Sequence, residues 1–297
     1  MAAMRQAERS PHTVRPAAVR PAQTRVRWDR VIVLVALLAV VTTVTAHALI
    51  GAVSDSVRAM KAKPQLAAAP TINVAQQAPT APPICPSSAP GVVHTAPPVA
   101  DAAVRTVALT FDDGPGPATP AVLDILHRNG VPATFFVIGQ RAASEPDMVR
   151  RIAADGHALG NHSWSHPIPS ARAGWKRSTL KREIDRTDQA ISAATGLKPC
   201  LFRPPGGIVK GARKVTHDAG LEMILWSTDP RDWAASPSKK SVLTIRKRVA
   251  AGLNEEHPVI LLHDGGGDRS ATVAALQGII DDYRARGYHF VTLAKPG

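Results

Sequence analysis

Cysteine is nearly absent from this chain of 297 residues, which has only Cys85 and Cys200, so no cysteine-based metal site is available. Acidic residues are also scarce: 23 Asp and Glu stand against 36 Lys and Arg, for a formal charge of +13. That balance suits an anionic partner such as a membrane surface, an acidic wall polymer or nucleic acid. Aromatic residues make up only 4% of the chain, and no basic block is interleaved with them. A nucleic-acid interface is therefore not expected. No internal repeat is evident, and the sequence gives no indication of oligomeric state.

The chain divides by composition. Residues 1–30 form a basic leader with Arg5, Arg9, Arg15, Arg20, Arg25, Arg27 and Arg30 against Glu8 and Asp29. Residues 31–50 are apolar apart from threonines and His47, and roughly 20 such residues suffice to cross a bilayer as a helix. The arginines before this span predict a cytoplasmic leader and an extracytoplasmic remainder. The span reads as an uncleaved signal anchor in the cell membrane. Ala46-His47-Ala48 also fits a cleavage site, which would release a secreted protein, and both readings export the rest. Residues 51–103 are rich in Ala and Pro and lack apolar periodicity, as expected of a disordered, semi-stiff tether reaching on the order of 150 Å when extended. Cys85 in the tether and Cys200 beyond it are either two free thiols or a disulfide. The bridge would close a loop of about 115 residues and contribute about 4–5 kcal/mol in the entropic treatment.

Residues 104–297 alternate short apolar runs with amphipathic stretches, the pattern of an α/β domain. Five of the runs end in a cluster of Asp, His or Arg with Gly or Pro: Asp112-Asp113-Gly114-Pro115, Asn161-His162, Arg203-Pro204-Pro205-Gly206-Gly207, Asp229-Pro230-Arg231-Asp232-Trp233 and His263-Asp264-Gly265. In parallel α/β sheets and barrels the C-terminal strand ends share one edge, where active sites form. His162 and His166, spaced i and i+4, are expected on one side of a helical turn, near enough to share a cation with the carboxylate of Asp113. Two nitrogens and one oxygen donor fit zinc best, with cobalt, nickel or manganese as alternatives. Asp112 is the natural base for a water and His263 the natural acid for a leaving group. Arg203 would hold the base ionised and Asp232 would keep His263 protonated.

Thr-Phe-Asp-Asp-Gly-Pro, His-Ser-x-x-His, Arg-Pro-Pro-Gly-Gly, Asp-x-x-Asp-Trp and Leu-Leu-His occur in that order. Together they resemble the five motifs of the polysaccharide deacetylase family, the NodB-homology domain of carbohydrate esterase family 4, over about residues 104–295. The resemblance implies a distorted (β/α) barrel of about seven strands. It also implies metal-dependent removal of acetyl groups from N-acetylglucosamine polymers or acetylated xylan. By position it makes Asp112 the base, Asp113, His162 and His166 the metal ligands, Arg203 the partner of the base, Asp232 the partner of the acid and His263 the acid. Leu261 and Trp233 would line the acetate pocket. Gly206 stands where the family commonly has an aromatic residue, and it would keep the backbone N–H that binds the oxyanion. With the anchor and tether, peptidoglycan is the expected substrate, and chitin oligomers or acetylxylan are the alternatives. An inactive wall-binding protein on the same fold is the rival from another class.

Overall fold

A parallel strand covered on both faces reads as an unbroken apolar run, and Thr106–Asp112 (β2) is buried along its whole length. The computed structural model describes residues 92–96 and 104–294. The expected leader and membrane span, and Cys85, lie outside these residues. Among the described residues no helix is long and apolar enough to cross a membrane.

Among the described residues eight parallel strands form the sheet. In chain order they are Val92–Val93 (β1), β2, Thr134–Val137 (β3), Ala158–Asn161 (β4), Leu201–Phe202 (β5), Glu222–Ile224 (β6), Val259–His263 (β7) and His289–Phe290 (β8). Their spatial order is β1-β6-β5-β4-β3-β2-β7, with β8 beside the start of β2. Beyond β6 the chain reaches β7 through a parallel bridge from Thr228 to Ile260, so the sheet curls into the expected distorted barrel. Val92 and Val93, which the sequence assigns to the tether, instead pair with Met223 and Ile224. A two-residue apolar strand is too short to show periodicity, so its sheet partner alone reveals it.

Among the described residues seven α-helices cover the outside: Thr119–Asn129 (α1), Gly139–Ser144 (α2), Pro146–Ala154 (α3), Arg177–Thr195 (α4), Arg213–Asp218 (α5), Lys239–Val249 (α6) and Ser270–Arg284 (α7). α1 opens with a proline in its first turn and stops at Gly130, whose left-handed φ of 57° returns its N–H to the last carbonyls. α4 buries the stripe Leu180, Ile184, Thr187, Ile191 and ends at Gly196. Pro146 cannot continue α2, so a separate helix, α3, begins there.

Period-2 alternation divides each strand between two layers. Val107, Leu109 and Phe111 of β2 pack with helix residues such as Leu123, Ile152 and Ile279 in the main core. Ala108 points the other way, into an interior cluster with Phe136, Leu201, Ile224 and Val259. Thr110 and Asp112 continue that inward row, so the proposed base begins as the last inward residue of a fully buried strand.

Candidate active site

β2 ends at Asp112, and Asp113 turns out of the strand with φ of 71°. The two adjacent carboxylates therefore separate, as two distinct tasks require. Gly114 follows, where any Cβ would stand 2.3 Å from a carboxylate oxygen of Asp264. Only glycine lets the loop pass that close. Asp264 is buried, accepts the Thr119 hydroxyl at 2.5 Å, and has its other oxygen unpartnered. Burial pushes its carboxyl up to about 7. Asp264 thus ties the end of β7 to the loop after β2.

The Asp112 carboxylate accepts a hydrogen bond from Arg203 at 2.7 Å. The same guanidinium nitrogen reaches Thr110, two residues back on the same strand face, at 2.8 Å. Arg203 has no exposure, lies 4.1 Å from the centre of the Phe136 ring and donates to the Leu225 carbonyl at 2.9 Å. Burial pushes the Asp112 carboxyl above its ordinary value, opposed chiefly by the Arg203 charge. Its free oxygen faces His162 Nε2 at 3.6 Å.

The three proposed ligands converge. Asp113 Oδ1 lies 3.5 Å from His162 Nε2 and 3.2 Å from His166 Nε2. That oxygen is buried and has no hydrogen-bond donor, an orphan that a cation would satisfy. His162 donates from Nδ1 to the Arg203 carbonyl at 2.7 Å, which leaves the Nε2 lone pair facing Asp113. Burial holds this imidazole down to about 3, so it is neutral, as a ligand must be. The residues fit a divalent metal. One expectation needs correction: His162 and His166 sit on a loop, not a helical turn. Ser163 and His166 take φ of 65° and 54°, and this double left-handed turn brings the rings to 4.9 Å between centres. Non-glycine residues in this region are uncommon, and Asp113 and His166 are both ligand candidates.

Across the sheet, Asp112 pairs in register with His263 at the end of β7. Asp232 accepts from His263 Nδ1 at 2.8 Å, from the His263 backbone N–H at 2.9 Å and from the Thr272 hydroxyl at 2.8 Å. Burial alone would lower the His263 pKa, but the buried Asp232 carboxylate, aided by Asp112 and Asp113, raises it above the ordinary histidine value. With Nδ1 fixed on Asp232, Nε2 carries the transferable proton. Leu261 shares the inward face of β7 with His263 and is buried. Trp233 follows Asp232 and is 47% exposed, with the Arg231 guanidinium 5.3 Å from its ring centre. Gly206 lies on the loop after β5 with φ of 62°, and a Cβ there would stand 3.0 Å from Ile168. Thr110, Thr119, Asp264 and Thr272 hold the site together and were not singled out from sequence. Only Thr110, two positions before Asp112, and Asp264, next to His263, carry a signal there.

Fold and site define an α/β-barrel hydrolase with a carboxylate and an imidazole flanking a three-ligand position. The family model for polysaccharide deacetylase matches residues 100–224. The peptidoglycan-N-acetylglucosamine deacetylase of Bacillus cereus is 41% identical over 197 residues, covering 64% of this chain and 87% of that protein. A chitooligosaccharide deacetylase of Bradyrhizobium is 38% identical, covering 62% and 87%. The peptidoglycan-N-acetylglucosamine deacetylase PgdA of Listeria monocytogenes is 37% identical, and the match spans 38% of its length. Among solved structures, a family 4 carbohydrate esterase from Streptomyces lividans in complex with acetate aligns with a TM-score of 0.56 and 36% identity, over 63% of this chain and 91% of that one. The chain belongs to the polysaccharide deacetylase family, carbohydrate esterase family 4, and is an enzyme of that class.

Proposed function

We propose that this polysaccharide deacetylase removes the acetyl group from N-acetylglucosamine residues of peptidoglycan, with zinc as its metal. The observation that carries the chemistry is the pairing of Asp112 and His263 on adjacent strands, one tied to a cation and the other to an anion. Asp113, His162 and His166 would hold the zinc, which when bound polarises the acetyl carbonyl and acidifies water. Asp112 takes the proton from the attacking water. Arg203 keeps that carboxylate oriented, with one oxygen committed to the guanidinium and the other free toward the site. His263 donates its Nε2 proton to the departing amine, and Asp232 carries the compensating charge. The Gly206 N–H is the proposed donor to the oxyanion, and Leu261 and Trp233 receive the acetyl methyl.

Peptidoglycan is favoured by the Bacillus cereus relative and by the anchor-and-tether sequence at residues 31–103. The bridged state of Cys200 suits an oxidising compartment, in keeping with an extracytoplasmic domain. Chitooligosaccharide is the second reading, favoured by the Bradyrhizobium relative. The test is acetate release by the full chain from peptidoglycan, chitin oligomers and acetylxylan, each with zinc, with a chelator, and with Asp112→Asn. Chelator-sensitive release from peptidoglycan, abolished by Asp112→Asn, is the expected result. Release confined to xylan or chitin would overturn the substrate, and release insensitive to chelator would overturn the metal.

A further inference from the structure

Two neighbouring loops leave the catalytic edge carrying charge of one sign. The first runs from β4 through His162 and His166 to α4, and the second from β5 through Arg203 and Gly206 to α5. Residues 167–177 and 208–217 together contain six Lys and Arg and no Asp or Glu. All six are exposed. The loops are stitched into one body: the Trp175 backbone N–H donates to the Lys210 carbonyl at 2.9 Å, and its indole N–H donates to the Ile208 carbonyl at 2.8 Å. The Lys210 ammonium returns a bond to the Arg172 carbonyl. At the seam, Gly211 has φ of 77°, and a Cβ there would stand 2.4 Å from the Trp175 carbonyl.

Asp218 takes two of the six, Arg177 and Lys214, each at 3.0 Å. Arg172, Lys176, Lys210 and Arg213 make no ion pair among the described residues. Elsewhere Arg151, Lys181 and Arg246 are matched by Asp124, Asp185 and Asp282, while exposed cations such as Arg128, Arg182, Lys239 and Arg286 make no ion pair among the described residues. What sets the two loops apart is that they gather six cations and no acid beside the catalytic edge. Four unmatched cations on a fixed platform repel one another, and the arrangement is relieved when an anion lies across them. Chain length keeps the platform close to the chemistry. Lys210 is four residues from Gly206, at most about 14 Å, and Arg172 is six from His166, at most about 21 Å.

We propose that the stitched loops form a binding surface for carboxylates carried by the substrate polymer. Through it the enzyme prefers an anionic glycan, such as one bearing peptide carboxylates, over a neutral one with the same acetylated sugar. This rests on the deacetylase reading of the adjoining site and adds a specificity to it.

The test compares the full chain with a variant carrying Arg172→Gln, Lys176→Gln and Arg213→Gln, which leaves the Lys210 stitch intact. Substrates are peptidoglycan, the same peptidoglycan with its carboxylates capped as amides, and chitin oligomers. The ratio of kcat/KM for native over capped peptidoglycan should fall about tenfold in the variant, a few-fold for each lost exposed pair. Near 1 M salt, where the screening length is about 3 Å, the unmodified enzyme should lose the same preference. Co-sedimentation with native and capped peptidoglycan should change in parallel, which separates binding from a damaged active site. An unchanged ratio with full activity overturns the inference and leaves the deacetylase reading standing. Absence of acetate from every substrate with the unmodified enzyme overturns both. A variant that keeps the ratio but loses binding to vesicles containing anionic lipid overturns the inference in favour of a membrane surface.

Discussion

Replacing Asp232 with asparagine keeps the shape of the side chain and removes the charge that lifts His263. The oxygen of Asp232 facing the backbone accepts two hydrogen bonds, from the His263 N–H and the Thr272 hydroxyl. An asparagine carbonyl fits there, which turns its amide NH2 toward His263 Nδ1. That nitrogen must then accept, and a neutral imidazole results. A hydrogen bond to a charged group contributes about 1.5–3 kcal/mol, and 1.36 kcal/mol is one pKa unit, so the His263 pKa should drop by roughly 1–2 units. As the proposed acid His263 acts protonated, so activity should be lost as pH rises through its pKa. Asp112 acts ionised, so activity appears as pH rises through a pKa that burial has pushed up. Lowering the acid toward the base narrows the bell and moves its alkaline limb to lower pH. The assay is kcat/KM for acetate release across about pH 4–10, with thermal unfolding as a control. An alkaline limb that stays put in Asp232→Asn, in a variant that folds and binds metal, would refute the assignment of His263 as the acid.

Asp113→Asn should weaken zinc binding by more than about 100-fold, since loss of a mere supporting partner already costs about 10–100-fold, and competition with a fluorescent chelator would measure it. Arg203→Met leaves Asp112 buried without its guanidinium partner; stability should fall by about 3–5 kcal/mol in urea, and the acid limb of activity should move to higher pH. Gly160→Ala puts a Cβ 2.5 Å from the Phe136 ring, on which Arg203 rests, and should cost about 1–3 kcal/mol while lowering kcat without loss of zinc.

The sequence made the catalytic edge legible because parallel strands are buried on both faces and their polar ends stand out against them. Asp112, Arg203 and His263 each follow such a run, and the structure brings them together. What sequence obscured was set by contacts between distant segments. The geometry of His162 and His166 depends on left-handed backbone at Ser163 and His166, a conformation uncommon outside glycine and not readable from the local sequence. Val92–Val93 becomes a strand only because β6 offers an unpaired edge. Thr272 reaches Asp232 from a helix 40 positions later, so nothing nearby in the chain announces it.

The register of β2 against β7 explains why these parts work as one site. Asp112 is opposite His263, on strands about 4.8 Å apart, so the proposed base and acid would flank a substrate from strand ends rather than from loops. A slip of one residue would turn Phe111 inward and the Asp112 carboxylate into the apolar core around Leu123, Ile152 and Ile279, which an unpaired charge strongly disfavours. The ligands obey a different rule. Asp113 and the two histidines come from loops, where backbone can take the left-handed turns that converge three side chains on one point. In the proposed mechanism proton transfer is thus set by the sheet and ligation by its loops, and Arg203 joins them. Its guanidinium holds Asp112 while its carbonyl orients His162, so displacing this one buried residue should disturb base and ligand together.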